Sequence, residues 1–290
     1  MAKEKIQYNG LIRDFDLKSA SVKTGYTIIF IFGLLVSFLG VAPLIWMILS
    51  GFKSIREFMT GVNIFPESWD FASYVTTWNQ LGFTRYYLNS FFSVAGSVVC
   101  AVFFNGLLGY VLSKVKPLGS KIVYGLVLWS LLIPATTSLV PLFINIVRLN
   151  LVGTFVPLWL AIGANAFFVV LFKNFFDDLP QSLVEAAQID GARNLTIFMK
   201  VAIPLSKPII IVIIIYAINA AWSDFLLPYL VLGGSEFETV MVRLFSFRMS
   251  RSNEVQIIRA LVFSIIPPII LFFIFQKQIA GMALHSGIKG

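Results

Sequence analysis

Cysteine, histidine and charge are all scarce in this chain of 290 residues. The single cysteine, Cys100, and the single histidine, His285, exclude an intrachain disulfide, a multi-cysteine zinc site and a histidine-based metal cluster. Charged residues make up 12% of the chain, about half the share found in an average soluble domain. So few charges cannot cover a soluble protein of this size, and the low charge also excludes intrinsic disorder.

Apolar residues dominate instead: 58% of the chain is hydrophobic and the mean hydropathy is +0.87. A helix needs about 20 mostly apolar residues to cross the hydrocarbon layer of a membrane. Six stretches meet this length, at residues 26–49, 87–112, 122–147, 152–172, 209–232 and 260–275. The chain is therefore predicted to be an all-α integral membrane protein with six transmembrane helices.

The distribution of lysine and arginine predicts the orientation. If the N-terminus is cytoplasmic, 14 of the 22 Lys and Arg residues lie on the inner side. The positive-inside rule then places both termini and the loops after the second and fourth spans in the cytoplasm. Because this sorting explains the net charge of +8, no nucleic-acid partner is expected.

Motifs that bind phosphate or perform catalysis are missing from the sequence. No G-x-x-x-x-G-K-[ST] loop, H-E-x-x-H or G-x-S-x-G motif occurs, and no predicted span carries paired carboxylates. We therefore predict no catalytic residue, no metal site and no cofactor in this chain, and we expect it not to be an enzyme.

The cytoplasmic segment between the fourth and fifth spans is predicted to form two short helices. Ser182 followed by Glu185 matches a capping box, which predicts that a helix begins there. Gly191 predicts the helix end because glycine adopts the left-handed conformation at little cost. A second helix is expected from Asn194. Docking into a groove of another protein and lying on the lipid surface are the two interpretations of such a segment.

The same segment carries a recognisable motif, made of Glu185, Ala186, Ala187 and Gly191, then nine residues, then Val201, Ile203 and Pro204. It resembles the EAA motif of binding-protein-dependent ABC importer permeases, with Val201 and Ile203 as conservative departures. The surrounding run Ile189–Ala192, which contains Asp190, resembles the carbohydrate branch of MalG-like permeases. Further matches run along the chain, at Ser50–Lys53, Leu88–Ser90, Gly109–Lys114, Ile133–Pro134, Pro141–Leu142, Trp222–Leu226 and Gly287–Gly290.

This resemblance implies a type I ABC importer permease fold and a set of partners. They are a second homologous permease, two ATPase subunits that bind ATP and Mg, an external solute-binding protein and the lipid bilayer of a bacterial or archaeal cell (inner) membrane. The coupling helix would sit in a cleft of one ATPase subunit, where closure of the ATPase dimer would flip the transport pathway. The implied coupling residues are Glu185, Ala186, Ala187, Asp190, Gly191 and Pro204. The solute would be a sugar or oligosaccharide.

The predicted organisation has four parts. A cytoplasmic tail covers residues 1–25, and the first span with its external segment covers 26–84. The permease core covers 85–281 with the EAA loop at 180–208, and a cytoplasmic tail covers 282–290. By the resemblance, this last tail would reach between the ATPase subunits.

Polar residues inside the predicted spans are candidates for the solute pathway. Asp224 is the one carboxylate deep in a predicted span, and intramembrane charges are functional candidates by default. It would either contact the solute or hold a broken helix together near Pro228. Asn219 and Trp222 lie beside it in the sequence and are candidates of the same kind.

Asn105 belongs to a stripe of small residues spaced four apart, composed of Ser93, Ser97, Ala101, Asn105, Gly109 and Ser113. Close helix packing and a role for Asn105 in the pathway are both consistent with this stripe. At about 100° per residue, the stripe is expected to drift about 40° around the helix at each step.

A secondary carrier that works alone is the alternative class of transporter. Such a carrier needs ion sites within the membrane and usually has an internal repeat. The single buried carboxylate and the lack of a clear repeat favour the importer permease.

Overall fold

The computed structural model describes residues 20–61, 63–250 and 253–287, and this part of the chain is 81% helical with no strand. The predicted all-α class is confirmed. The helices are α1 (Ala20–Phe52), α2 (Ile55–Thr60), α3 (Phe71–Leu81), α4 (Phe83–Cys100), α5 (Gly106–Tyr110), α6 (Ser120–Ser130), α7 (Leu139–Arg148), α8 (Val156–Gly163), α9 (Ala166–Asp177), α10 (Gln181–Ile189), α11 (Asn194–Ile197), α12 (Ile203–Leu205), α13 (Lys207–Ser223), α14 (Leu226–Leu232), α15 (Val240–Met249) and α16 (Glu254–Gly287). Three π-helical segments, Ala101–Asn105, Val111–Val115 and Phe198–Ala202, and a 3-10 turn, Ala135–Ser138, join some of them.

The chain divides into two compact units, which meet in the sequence at Phe71 and Ala72. Within the described part of the first unit, α1 contains an apolar stretch from Val22 to Phe52 that is long enough to cross a membrane. The short helix α2 follows, and a capping box fixes its start because Ser54 and Glu57 exchange hydrogen bonds. The second unit contains all of the candidate coupling and pathway residues.

In the described part of the chain, three helical stretches are continuous and long enough to cross a membrane: Val22–Phe52, Phe83–Val115 and Glu254–Gln278. They correspond to the predicted first, second and sixth spans. Two bent pairs add to these, α8 with α9 at 44° and the helical segment Asn194–Leu205 with α13 at 86°. Counting each bent pair as one span gives five, so the predicted number of six is not confirmed.

The predicted third span, residues 122–147, is not one helix. α6 ends at Ser130 and α7 begins only at Leu139, with a 3-10 turn between them. Pro134 lies in this gap with ψ at 130°, outside the helical range. Proline has no N–H to donate and disfavours helical backbone at the residue before it, so an apolar run of the right length still breaks there.

The stripe of small residues in the second span is buried along its whole length. In a regular α-helix its five steps would accumulate about 200° of rotation. The helix contains two π-helical segments, Ala101–Asn105 and Val111–Val115. Each π-helical segment adds about one residue to a helical turn, and a complete segment therefore reverses about 100° of the accumulated rotation. These segments reduce the predicted drift, and the six residues are all buried: Ser93, Ser97, Ala101, Asn105, Gly109 and Ser113.

An aromatic cluster forms the core of the second unit at the end where α10 lies. It consists of Tyr110, Phe172, Phe176 and Phe198, each at most 1% exposed. The rings of Phe172 and Phe176 stack with centroids 5.7 Å apart, and Tyr110 contacts both Phe176 and Phe198. The cluster therefore joins α5, α9 and the π-helical segment that follows α11.

Candidate functional site

The helix predicted to contact an ATPase is α10, and its C-terminus is built as a Schellman motif. The N–H of Gly191 donates to Gln188 O at 3.0 Å, and the N–H of Ala192 donates to Ala187 O at 3.0 Å. Gly191 has φ at +79°, yet a Cβ added there would meet nothing within 4 Å. Glycine is favoured at this position by the backbone conformation and not by a lack of space. The predicted helix end at Gly191 is confirmed.

The start of α10 differs from the prediction. Its N-cap is Pro180, with φ at −58° and ψ at 129°, and no side chain caps the helix. Because Pro180 already supplies the extended entry, Ser182 lies inside the first turn and cannot act as the cap. The predicted capping box is therefore wrong. Glu185 is exposed, and within the described residues its carboxylate makes no hydrogen bond or ion pair, so it is available to a partner.

The two faces of α10 have different surroundings. Val184 is buried and Ala187 is partly buried, and both belong to the core that includes Ile197 and the aromatic cluster. The other face carries the exposed Glu185 and Ala186, and it ends at Ile189, which is 86% exposed. Glu185, Ala186 and Ile189 are therefore among the side chains of α10 that are free to meet another surface.

Residues 181–205 form one hairpin, the coupling hairpin, from the start of α10 to the end of α12. The structure places five of the six predicted coupling residues on or directly after α10: Glu185, Ala186, Ala187, Asp190 and Gly191. Pro204 lies in a different element, α12, immediately before the chain bends by 86° into α13.

A polar cluster at the base of the coupling hairpin was not identified from the sequence. The hydroxyl of Ser113 donates to Asp177 Oδ1 at 2.6 Å, and Lys173 Nζ lies 2.6 Å from Asp177 Oδ2. Lys114 Nζ donates to the carbonyl of Leu179, also at 2.6 Å. The spacing of four residues between Lys173 and Asp177 could have predicted their ion pair from the sequence. The partners in the second span are 64 residues or more away in sequence, so no local pattern reveals them.

Asn105 lies at the bend between α8 and α9. Its Nδ2 donates to Ala101 O at 2.9 Å and to Ile162 O at 3.0 Å, and its Oδ1 accepts the N–H of Asn165 at 2.9 Å. The Asn165 side chain in turn accepts the N–H of Phe168. Asn105 thus pairs backbone groups that the bend leaves without helical partners. These contacts favour the packing interpretation, and a role in the pathway stays a prediction.

Asp224 lies where the predicted fifth span breaks. α13 ends at Ser223 and α14 begins at Leu226, and Asp224 itself has extended backbone angles. Its carboxylate lies near the backbone N–H groups of Phe225, Leu226 and Leu227, but no side-chain hydrogen bond caps α14. A negative charge beside a helix N-terminus is favourable, so Asp224 supports the start of α14. Asp224 is only partly buried, so this role leaves its side chain accessible.

The two other pathway candidates face different surroundings. Trp222 is 6% exposed, and its Nε1–H donates to Ser264 O at 3.0 Å, which ties α13 to α16. Asn219 is exposed on α13. The structure thus leaves Asn219 and Asp224 accessible and buries Trp222 and Asn105.

The known family of binding-protein-dependent transport system inner membrane components matches residues 105–281 of this chain. The chain belongs to this family. This permease is 27% identical over 253 residues to the diacetylchitobiose uptake system permease protein NgcG of Streptomyces coelicolor, covering 86% of this chain and 84% of that one. It is 30% identical over 261 residues to the arabinooligosaccharides transport system permease protein AraQ of Halalkalibacterium halodurans, covering 88% and 93%.

A solved structure is also similar to the permease. It is a chain of a bacterial ABC transporter involved in the import of the acidic polysaccharide alginate, with a TM-score of 0.78 and 25% identity. The match covers 89% of the permease and 98% of that chain. The predicted importer-permease fold is confirmed. The permease is a membrane component of an ATP-driven importer, in which separate ATPase subunits hydrolyse ATP.

Proposed function

We propose that this permease forms one half of the translocation pathway of a sugar importer, together with a second homologous permease. Two ATPase subunits bind ATP and Mg on the cytoplasmic side, and an external binding protein delivers the solute. The chain crosses the bacterial or archaeal cell (inner) membrane several times, with both termini in the cytoplasm. This proposal rests mainly on the two faces of α10. One face is exposed, and the other packs into the core.

The exposed face of α10 is the part that the ATPase contacts. Ala186 lets the partner surface approach closely, and Ile189 supplies an apolar side chain to bury. Glu185 makes no interaction within the described part of the chain, so it pairs with a cation of the ATPase without first breaking a contact. The turn at Gly191 then leads the chain into α11.

The buried face of α10 passes the motion of the ATPase to the spans. Val184 and Ile197 pack into the core beside the aromatic cluster, and the polar cluster ties α9 to the end of the second span. Closely packed interiors transmit strain because they contain little free volume. When the ATPase dimer closes on ATP, the displacement of α10 therefore reaches α5 and α9, and the pathway changes from inward-facing to outward-facing.

The solute is a sugar or an oligosaccharide, because the relatives are named for diacetylchitobiose and arabinooligosaccharides. The proposed pathway residues are Asn105, Asn219, Trp222 and Asp224. Asn219 and Asp224 are accessible in the structure and can form hydrogen bonds with sugar hydroxyls. Asn105 and Trp222 are buried, and they position the helices beside the pathway.

A charge reversal on α10 tests the proposal in the complete transporter. Glu185→Lys should reduce co-purification of the ATPase subunits and should reduce ATP hydrolysis that depends on the solute. Glu254→Lys is the matched control, since Glu254 is also an exposed glutamate on a helix, outside the coupling hairpin. This control should leave both measurements unchanged.

Cross-linking identifies the partner directly. A photoreactive group at Ala186 should capture an ATPase subunit in native membranes. Capture of phospholipid alone would refute the proposed contact. Solute uptake by this chain alone, abolished by a protonophore, would instead show a secondary carrier.

A further inference from the structure

A second site in the permease lies outside the coupling hairpin and shares only Lys173 with the polar cluster. It is a cavity of about 710 Å³, called the lysine cavity below, between the end of the second span and the start of α6. It is lined by Leu112, Lys116, Pro117, Leu118, Gly119, Ser120, Lys121, Ile122, Tyr124 and Lys173. This volume lies within the range of about 300–1,000 Å³ found for sites that bind small molecules.

Positive charge is concentrated around this cavity. Lys173 forms one wall, where Asp177 pairs with its ammonium group and the Tyr124 ring lies 4.5 Å from it. Lys116 and Lys121 are exposed, and within the described residues no carboxylate lies within 4 Å of either ammonium group. The two unpaired lysines therefore favour an anionic ligand.

Apolar side chains complete the lining, and their position fits a lipid. Leu118 and Ile122 are strongly exposed, and they lie on the same rim as the two lysines. The helix Phe83–Val115 is apolar and long enough to cross a membrane, and the cavity adjoins its end, so we place the cavity near the membrane surface. A soluble anion would gain nothing from exposed leucine and isoleucine, whereas a phospholipid has both a phosphate and acyl chains.

We propose that the lysine cavity binds an anionic phospholipid. Lys116 and Lys121 hold the phosphate of the headgroup, and an acyl chain lies along Leu118 and Ile122. Basic pockets at the membrane surface attract anionic lipids in this way, and each lysine contributes measurably. This site is independent of the coupling hairpin, so it can be tested whether or not α10 contacts an ATPase.

The test measures lipid binding to the complete transporter in detergent by native mass spectrometry, with phosphatidylglycerol as the probe and phosphatidylcholine as the neutral comparison. The double variant Lys116→Gln and Lys121→Gln should bind phosphatidylglycerol roughly 30-fold more weakly, and its binding of phosphatidylcholine should not change. Lys116→Arg with Lys121→Arg should restore binding, since the charges are kept. Lys23→Gln with Lys277→Gln is the control, because these exposed lysines lie outside both the cavity and the coupling hairpin.

Three results would overturn the proposal. Equal binding by the glutamine variant and the control would show that these lysines hold no headgroup. Displacement of phosphatidylglycerol by inorganic phosphate at equal concentration would show a site for a free anion. A photoreactive group at Leu118 that captures an ATPase or the second permease, and no lipid, would show a protein interface.

Discussion

Gly109 lies where α5 crosses α9, and its replacement by alanine should destabilise the permease. An added Cβ would lie 2.7 Å from Phe172 Cβ, 3.0 Å from Lys173 N and 3.2 Å from Val169 O. Two of these atoms belong to the backbone, so rotation of a side chain cannot relieve the overlap and α9 must shift. Overpacking costs about 1–3 kcal/mol, and the higher helix propensity of alanine offsets about 0.5–1 kcal/mol. We expect a net loss of about 1–2 kcal/mol in the free energy of unfolding.

Gly125→Ala is the matched control, because Gly125 lies inside α6 and an added Cβ would meet nothing within 4 Å. The assay is thermal unfolding of the complete transporter in detergent, followed by the loss of the monodisperse species. At about 2–4 °C per kcal/mol, Gly109→Ala should lower the midpoint by about 2–8 °C. Gly125→Ala should leave it unchanged or raise it. If the two variants were equally stable, the close crossing of α5 and α9 would be refuted.

Three further substitutions test other parts of the structure. Gly191→Val should weaken ATPase association, since valine strongly disfavours φ at +79°; normal co-purification would refute the role of this turn. Asp177→Asn should reduce the free energy of unfolding by about 0.5–1 kcal/mol, because it removes the charge of a partly exposed pair with Lys173, and should lower solute-coupled ATP hydrolysis; unchanged coupling would show that the polar cluster is only structural. Asp224→Asn should impair transport more than assembly; loss of the assembled complex would show that the carboxylate serves only the start of α14.

Apolar runs predicted where helical segments lie, but they did not predict where the helices break. The first, second and sixth predicted spans coincide with continuous helices because each has a long apolar run, although α1 contains Pro43 and α16 contains Pro267 and Pro268. The third failed at Pro134, which composition treats as one more residue in an apolar window. The π-helical segments in the second span carry no recognisable local signal, and they decide which side of that helix its small residues face.

In the coupling hairpin, features set by neighbouring residues could be predicted from the sequence, whereas contacts between distant segments could not. Gly191 was predicted correctly because a left-handed backbone at a helix end is a local requirement that glycine meets. The capping box at Ser182 and Glu185 was wrong because Pro180, two residues earlier, already sets the helix start. The polar cluster depends on contacts between the second span and α9, which only the fold brings together.

Polar residues inside a membrane span are usually assigned to a transport pathway. In this permease they also pair with or lie near backbone groups where the helices break. A bent helix leaves backbone N–H and carbonyl groups without helical partners, and lipid cannot satisfy them. Asn105 pairs such groups where α8 bends into α9, and Asp224 lies near the N–H groups that open α14. Breaks in transporter helices in turn allow backbone groups to face a solute. We therefore propose that Asn105 and Asp224 act on the pathway first by stabilising the broken helices. In this proposal, direct contact with a sugar is left mainly to the accessible Asp224 and Asn219.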